Sequence, residues 1–222
     1  MQLQDIGTKA GYDLWAESYE QTPNPVVAID ARHSMAVLSP APGERVLDAG
    51  CGTGRNLAAM LDAGARPSGV DFSPGMLAVA RRRHPGVPLI EADLEDRLPF
   101  GDGEFDAVYC ALLAEHLAEP GRAVAEFARV LRPGGRLVLS VFHPVLAATG
   151  MSAQFERDGA AYRLVAHPHA VADYEGWITQ AGLGGLRRHE ISGDAEMAAE
   201  VPWAVWLVGK PVLLVLEAEK PG

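Results

Sequence analysis

From residue 45 to residue 142 the chain alternates short apolar runs with amphipathic stretches, and this alternation constrains the fold more than any other feature. The apolar runs at 45–48, 67–71, 88–92, 105–110 and 136–142 read as strands. Helical stretches lie between them: 54–63, stopped at Gly64; 74–84, with Ser73 as N-cap and Pro74 at N1; and 121–131. The turn Arg132-Pro133-Gly134-Gly135 feeds the fifth strand. Parallel neighbours need long crossovers, usually helical, so strand–helix units of about thirty residues imply an α/β fold. Its parallel sheet carries helices on both faces, as in Rossmann-like proteins.

The flanks are less regular. Residues 10–40 read as helical, with Tyr12, Trp15 and Tyr19 on one aromatic stripe, a break at Pro23 and Pro25, and a second amphipathic stretch at 26–38. Residues 144–170 show little periodicity, 173–182 reads as a helix, and 186–191 and 212–218 read as two closing strands. Residues 201–206 are apolar and of undefined structure. A length of 222 residues suits one domain. Its parts would be a helical lid (1–40), a core (45–142), an insert (143–170) and a closing helix with strands (171–222).

A formal charge of −10 argues against nucleic acid as a partner, because such binding leans on Lys and Arg. The chain has no long apolar run, and the opening Met-Gln-Leu-Gln-Asp-Ile-Gly has neither a basic nor an apolar leader region, so neither a membrane nor secretion is expected. Two isolated cysteines, Cys51 and Cys110, fit a reducing cytoplasm. The abundance of Ala, Gly, Arg and Pro suits a bacterial gene of high GC content.

Strand, then Gly50-Cys51-Gly52-Thr53-Gly54, then helix, makes a close-approach loop. Glycines remove the Cβ atoms that keep a ligand off the backbone, and such a loop lies at the carboxyl end of its strand, where open parallel sheets bind ligands. A dinucleotide fingerprint needs a third glycine where this chain has Arg55. Asp48 precedes the loop and can address a cationic amino group. Asp71 ends the second strand, 21 residues after Gly50, where a carboxylate accepts from both ribose hydroxyls. Asp93, at the end of the third strand, can accept from an exocyclic adenine amine while the Leu94 N–H donates to the ring. Phe72 and Met76 are candidates for the purine face. Carboxylates so gathered also suit a divalent metal, but no ligand-spaced histidine accompanies them, so no metal is expected.

With these motifs the chain resembles the class I S-adenosylmethionine-dependent methyltransferases, in particular the ubiquinone-biosynthesis-like, type 11 branch that acts on small molecules. Residues 46–54 look like the family's first motif, Asp71 like its ribose-binding acid and Asp93-Leu94 like its adenine clamp. Residues 105–110 look like its fourth strand, 131–137 like the entry to its fifth, and 12–19 like its lid. The resemblance implies a seven-stranded sheet of order 3-2-1-4-5-7-6 with the last strand antiparallel. It also implies S-adenosylmethionine as cofactor and S-adenosylhomocysteine as product. It places the backbone of Gly50, Gly52 and Cys110 around the methionine part, counts Cys51 among the cofactor-binding residues and brings Tyr19 to the carboxylate.

Methyl transfer from a sulfonium mainly requires alignment and exclusion of water, with a base only where the acceptor must lose a proton. His143, at the end of the fifth strand, is the candidate base; a histidine fixed by hydrogen bonds before Pro144 is the equal alternative. His116 reads as helix packing, and His167 and His169 as part of a solvated or substrate-facing loop. Arg81-Arg82-Arg83 reads as a solvated helix end. Tyr162, Trp177, Trp203 and Trp206 offer further aromatic wall. The insert with the lid would enclose a small-molecule acceptor methylated on O, N or C, in a monomer or homodimer. The competing readings are a non-catalytic module that binds the nucleoside and, weaker, an NAD-dependent oxidoreductase.

Overall fold

The computed structural model describes residues 3–222; Met1 and Gln2, within the segment read above as lacking a leader, lie outside the described residues. The chain begins with β1 (Leu3–Ile6), α1 (Thr8–Trp15), a 3-10 turn at Ala16–Gln21 and α2 (Pro25–Leu38). The regular core follows as β2 (Arg45–Ala49), α3 (Arg55–Asp62), β3 (Arg66–Asp71), α4 (Pro74–Arg83), β4 (Leu89–Glu91), β5 (Phe105–Ala111), α5 (Pro120–Val130) and β6 (Leu131–Phe142). It closes with α6 (Pro144–Ala147), β7 (Gln154–Arg157), β8 (Ala160–Leu164), α7 (Val171–Gln180), β9 (Gly184–Ser192), α8 (Ala195–Glu200), a 3-10 turn at Pro202–Leu207 and β10 (Pro211–Glu219).

Seven strands form one sheet in the order β4-β3-β2-β5-β6-β10-β9. In order of appearance within this sheet that is 3-2-1-4-5-7-6, as the resemblance implied. Strands β2 to β6 pair in parallel, and β10 runs antiparallel to both β6 and β9. The order reverses between β2 and β5, so their carboxyl ends open the crevice where doubly wound sheets bind ligands.

The pleat divides the core into two layers. Leu47, Val108, Cys110, Leu137 and Leu139 pack toward α5 and α7, with Phe127, Tyr174 and Ile178. Val46, Ala107, Tyr109, Val138 and Val215 pack toward α2, α3 and α8, with Ile29, Leu57 and Met197. Asn24 caps α2 by accepting from Val26 N–H, and Ser73 caps α4 by accepting from Met76 N–H.

Four features differ from the sequence reading. β6 begins at Leu131, not 136, and takes the Pro133-Gly134-Gly135 stretch as an irregularity in its pairing with β5. The third strand ends at Glu91, two residues before Asp93. The apolar stretch at 201–206 is a 3-10 turn that follows α8. The insert is not irregular throughout: β7 and β8 form an antiparallel hairpin, and β1 adds to β8 in parallel, giving a second, three-stranded sheet. Arg157 pairs with Ala160, so Asp158-Gly159 is a two-residue turn with both φ angles positive, 51° and 76°. The lid stripe packs on this sheet, with Trp15 stacked on Phe155 at 4.8 Å.

Candidate functional site

The loop after β2 is folded back on β3. Gly50 and Cys51 N–H both donate to the Val70 carbonyl, at 2.8 and 2.9 Å, and Gly54 N–H donates to Cys51 O at 2.9 Å. Gly52 N–H donates to Asp71 Oδ2 at 2.9 Å. These four N–H groups are thus used internally, so the loop offers a ligand close backbone approach. At Gly50 an added Cβ would meet Leu113 Cδ1 at 2.2 Å, and at Gly52 it would meet nothing within 4 Å. Gly52 therefore borders open space.

That space is a groove lined by the predicted residues Tyr19, Gly50, Cys51, Gly52, Asp71, Phe72 and Met76, together with Tyr12, Arg55 and Leu112. Asp71 Oδ1 accepts from Ser73 N–H at 2.9 Å, which with Gly52 holds the carboxylate in one orientation while each oxygen keeps a free lone pair. Burial pushes Asp71 up to about 6, opposed by these backbone donors.

Asp48, Asp93, Leu94 and Cys110 do not line the groove. Asp48 shares the strand face of Val46 and points into the α2–α3 layer, opposite Tyr109. It is wholly buried, and both its oxygens lack partners. Burial pushes it up to about 7; Arg55 opposes the rise, and the carboxylates of Asp71 and Asp30 reinforce it. Asp93 is exposed and spends Oδ1 on Glu95 N–H at 3.0 Å, because β4 ends short of it. Leu94 and Cys110 are core residues of the α5–α7 layer.

Arg55 opens α3 and donates to Asp30 Oδ2 at 3.1 Å. Asp30 is fully buried and also accepts from the Ser34 and Ser140 hydroxyls, each at 2.6 Å. Ser34 lies 2.6 Å from the Tyr109 hydroxyl. This polar knot joins the lid helix α2 to the loop helix α3 and to strands β5 and β6.

The lid closes over the groove. Asp13 Oδ1 accepts from Ser73 Oγ at 2.5 Å and from Gly75 N–H at 2.9 Å, so α1 caps the start of α4. Glu17 pairs with Arg82 at 2.7 Å and Glu20 with Arg83 at 3.3 Å, and Glu20 also accepts from the Thr53 hydroxyl. Two of the three arginines read as a solvated helix end therefore tether the lid. The groove left beneath holds about 50 Å³, far below the roughly 300–1,000 Å³ of ordinary ligand pockets.

Beyond Tyr12, Tyr19 and Leu112, which line both spaces, lies a cavity of about 680 Å³. Its walls come from the lid, the hairpin, the end of β6 and the 3-10 turn with Trp203 and Trp206. His116 and His167 line it; His116 Nδ1 lies 3.0 Å from the Val165 carbonyl, and burial depresses its basicity. His143 does not line it. Its Nδ1 accepts from Val145 N–H at 3.3 Å as the cap of α6, and its Nε2 faces Glu190 at 3.8 Å. His169 packs against Trp177, with ring centroids 5.0 Å apart. Glu115, which the sequence reading passed over for its neighbour His116, does line the cavity. Its position one turn past a strand end, in the same stretch as His116, was the available signal.

The fold is that of the Rossmann-like methyltransferases. A family model described as a methyltransferase domain matches residues 47–139. The demethylmenaquinone methyltransferase of Clavibacter sepedonicus is 37% identical over 155 residues, 64% of this chain and 62% of that protein. That of Beutenbergia cavernae is 36% identical over 165 residues, 70% of this chain and 68% of that protein. The chain thus spans less than two thirds of the Clavibacter relative's length. An S-adenosylmethionine-dependent methyltransferase structure from Mesorhizobium loti shares the fold, with a TM-score of 0.73 at 22% identity over 89% of this chain and all of that one. The chain belongs to the methyltransferase family.

Proposed function

We propose that the chain transfers the methyl group of S-adenosylmethionine to an O, N or C atom of a small, largely apolar acceptor. The observation that carries this reading is the pair of adjoining spaces that share Tyr12, Tyr19 and Leu112: a glycine-walled groove ending on a fixed carboxylate, and a larger aromatic cavity. Two reactants held end to end need such a plan, because in-line displacement depends on alignment.

The residues fit the cofactor. Asp71 has lone pairs free for ribose hydroxyls, and Gly52 leaves room at the backbone. When bound, S-adenosylmethionine supplies a methyl group already activated on sulfur. Phe72 and Met76 offer apolar cover to the nucleoside, and Tyr12 and Tyr19 keep water from the junction. With Asp48, Asp93, Leu94 and Cys110 outside the groove, these assignments rest on Asp71, the glycines and the lid.

The relatives' names make a quinone-type ring the leading acceptor, and the aromatic walls suit a flat ring. We further infer one domain acting in the cytoplasm, as a monomer or homodimer without nucleic acid. In support, no helix among the described residues is long and apolar enough to cross a membrane, and the charge is acidic.

Methyl-labelled S-adenosylmethionine incubated with the protein and a panel of phenols, naphthols and quinols tests the reading. Label should pass to at least one ring acceptor in wild type, and at least about tenfold more slowly in Asp71→Ala at limiting S-adenosylmethionine. A bound nucleoside with no labelled product across the panel would favour the non-catalytic module.

A further inference from the structure

Two residues that line the larger cavity each carry a buried polar atom with no partner among the described residues: Glu115 Oε2 and Ser152 Oγ. Glu115 sits on the short 3-10 turn Ala114–His116, three residues beyond Leu112, which borders both spaces. Its other oxygen has only a long contact, 3.5 Å, from the Phe142 N–H. The other polar side chains of the cavity are largely occupied. Asp5 and Arg163 bond each other at 2.7 Å, Asn24 caps α2, and His116 is held on Val165 O. Much of the wall is aromatic: Tyr12, Trp15, Tyr19, Phe142, Trp203 and Trp206. A buried polar atom without a partner costs free energy, which an arriving ligand donor removes.

The geometry points to Glu115 as the acceptor-binding carboxylate of this cavity: it takes a hydrogen bond from an O–H or N–H on an otherwise apolar, ring-shaped acceptor and receives that proton on methylation. This rests on the methyl-transfer reading above. The balance closes within the two reactants and the side chain. The acceptor's lone pair forms the new bond to the methyl carbon, the C–S bonding pair stays on sulfur, and the O–H or N–H proton passes to Glu115 Oε2 and then to water. Ser152 Oγ can serve a second polar group on the same ring.

Burial, opposed by the backbone N–H groups of Glu115 and Phe142 and helped by the charge of Asp30 on α2, pushes Glu115 up to about 7. The other titratable groups around it are Tyr12 and Tyr19 of the lid, Cys110 of β5, Tyr174 of α7 and the neighbouring His116 and His167. Above neutrality the carboxylate form prevails, which is the form that accepts the proton.

The probes are 2-naphthol and naphthalene, the same ring system with and without a donor. Each is titrated by fluorescence into protein saturated with S-adenosylhomocysteine. Wild type should prefer 2-naphthol by about tenfold or more, the usual worth of a hydrogen bond to a charged group. Glu115→Leu should lose that preference while keeping its affinity for S-adenosylhomocysteine. The 2-naphthol affinity of wild type should rise with pH through about 7, and that of Glu115→Gln should be flat; this variant serves also if Glu115→Leu does not fold. Equal preference in wild type and Glu115→Leu, or the same pH dependence in Glu115→Gln, overturns the assignment. Failure of 2-naphthol to bind the loaded wild type overturns the acceptor class. Failure of S-adenosylhomocysteine itself to bind instead strikes the methyl-transfer reading.

Discussion

The backbone N–H of Gly52 donates to Asp71 Oδ2 at 2.9 Å, so the loop after β2 and the acid at the end of β3 form one rigid unit. Asp71→Ala removes the ribose acceptor, and S-adenosylhomocysteine affinity should fall about tenfold to a hundredfold, the worth of hydrogen bonds to a charged group. Asp71→Asn keeps an acceptor for only one of the two N–H donors, Gly52 on Oδ2 or Ser73 on Oδ1, and turns its NH2 on the other, so it should lose about 1–3 kcal/mol of stability. Calorimetric titration and urea unfolding separate the two effects.

Two glycines of the loop should respond differently. Both have positive φ, 81° at Gly50 and 52° at Gly52, so alanine at either position costs about 1–2 kcal/mol of backbone strain. Gly50→Ala also drives a Cβ into Leu113 and should be the less stable variant. Gly52→Ala meets no protein atom but enters the groove, so it should lose more ligand affinity than its stability loss explains.

The Arg55–Asp30 pair is a buried link between lid and loop. Arg55→Met leaves Asp30 with only the two serine hydroxyls and should destabilise the protein by about 3 kcal/mol, at the low end for a broken buried pair because Arg55 is partly exposed. Adding Asp30→Asn should recover part of that loss. Urea midpoints of the single and double variants check this, and additive losses would contradict the coupling.

Asp48 fixes the sign of one pH effect. Its folded value of about 7 lies above the ordinary 3.8, so between those values the folded chain holds a proton that the unfolded chain has released. Stability from this group therefore falls as pH rises from about 4 to about 7 and then levels. Within that window the fall is roughly 1.4 kcal/mol for each step of one in pH. Asp71 and Glu115 act in the same direction. Unfolding free energies at pH 5 and pH 8 should differ less in Asp48→Asn than in wild type. Equal differences in the two proteins would contradict the assignment.

The core strands were legible because periodicity and turn residues agree there. The strand expected at 105–110 is Phe105–Ala111, and the closing strand expected at 212–218 is Pro211–Glu219. The small sheet was not read because β1 and β8 are far apart in sequence and short, 4 and 5 residues. Yet Asp158-Gly159 between Phe155 and Tyr162 is a hairpin signal that the sequence carried. In the site, the structure brings together at one groove the loop and Asp71, which spacing singled out, and Tyr19, which the resemblance singled out. Asp93 and His143 lie outside both spaces, with side chains that serve local backbone groups, Glu95 N–H and Val145 N–H; for His143 that was the equal alternative read from the sequence. Glu115 escaped notice because its significance lies in the partner it lacks, which only the folded chain reveals.

The central claim is that the groove between β2 and β3 receives an S-adenosyl nucleoside, and calorimetric titration of the free protein with S-adenosylhomocysteine tests it most directly. Saturable binding of one molecule per chain, weakened at least about tenfold in Asp71→Ala, is the predicted result. No saturable heat in wild type, or equal affinity in Asp71→Ala, would contradict it.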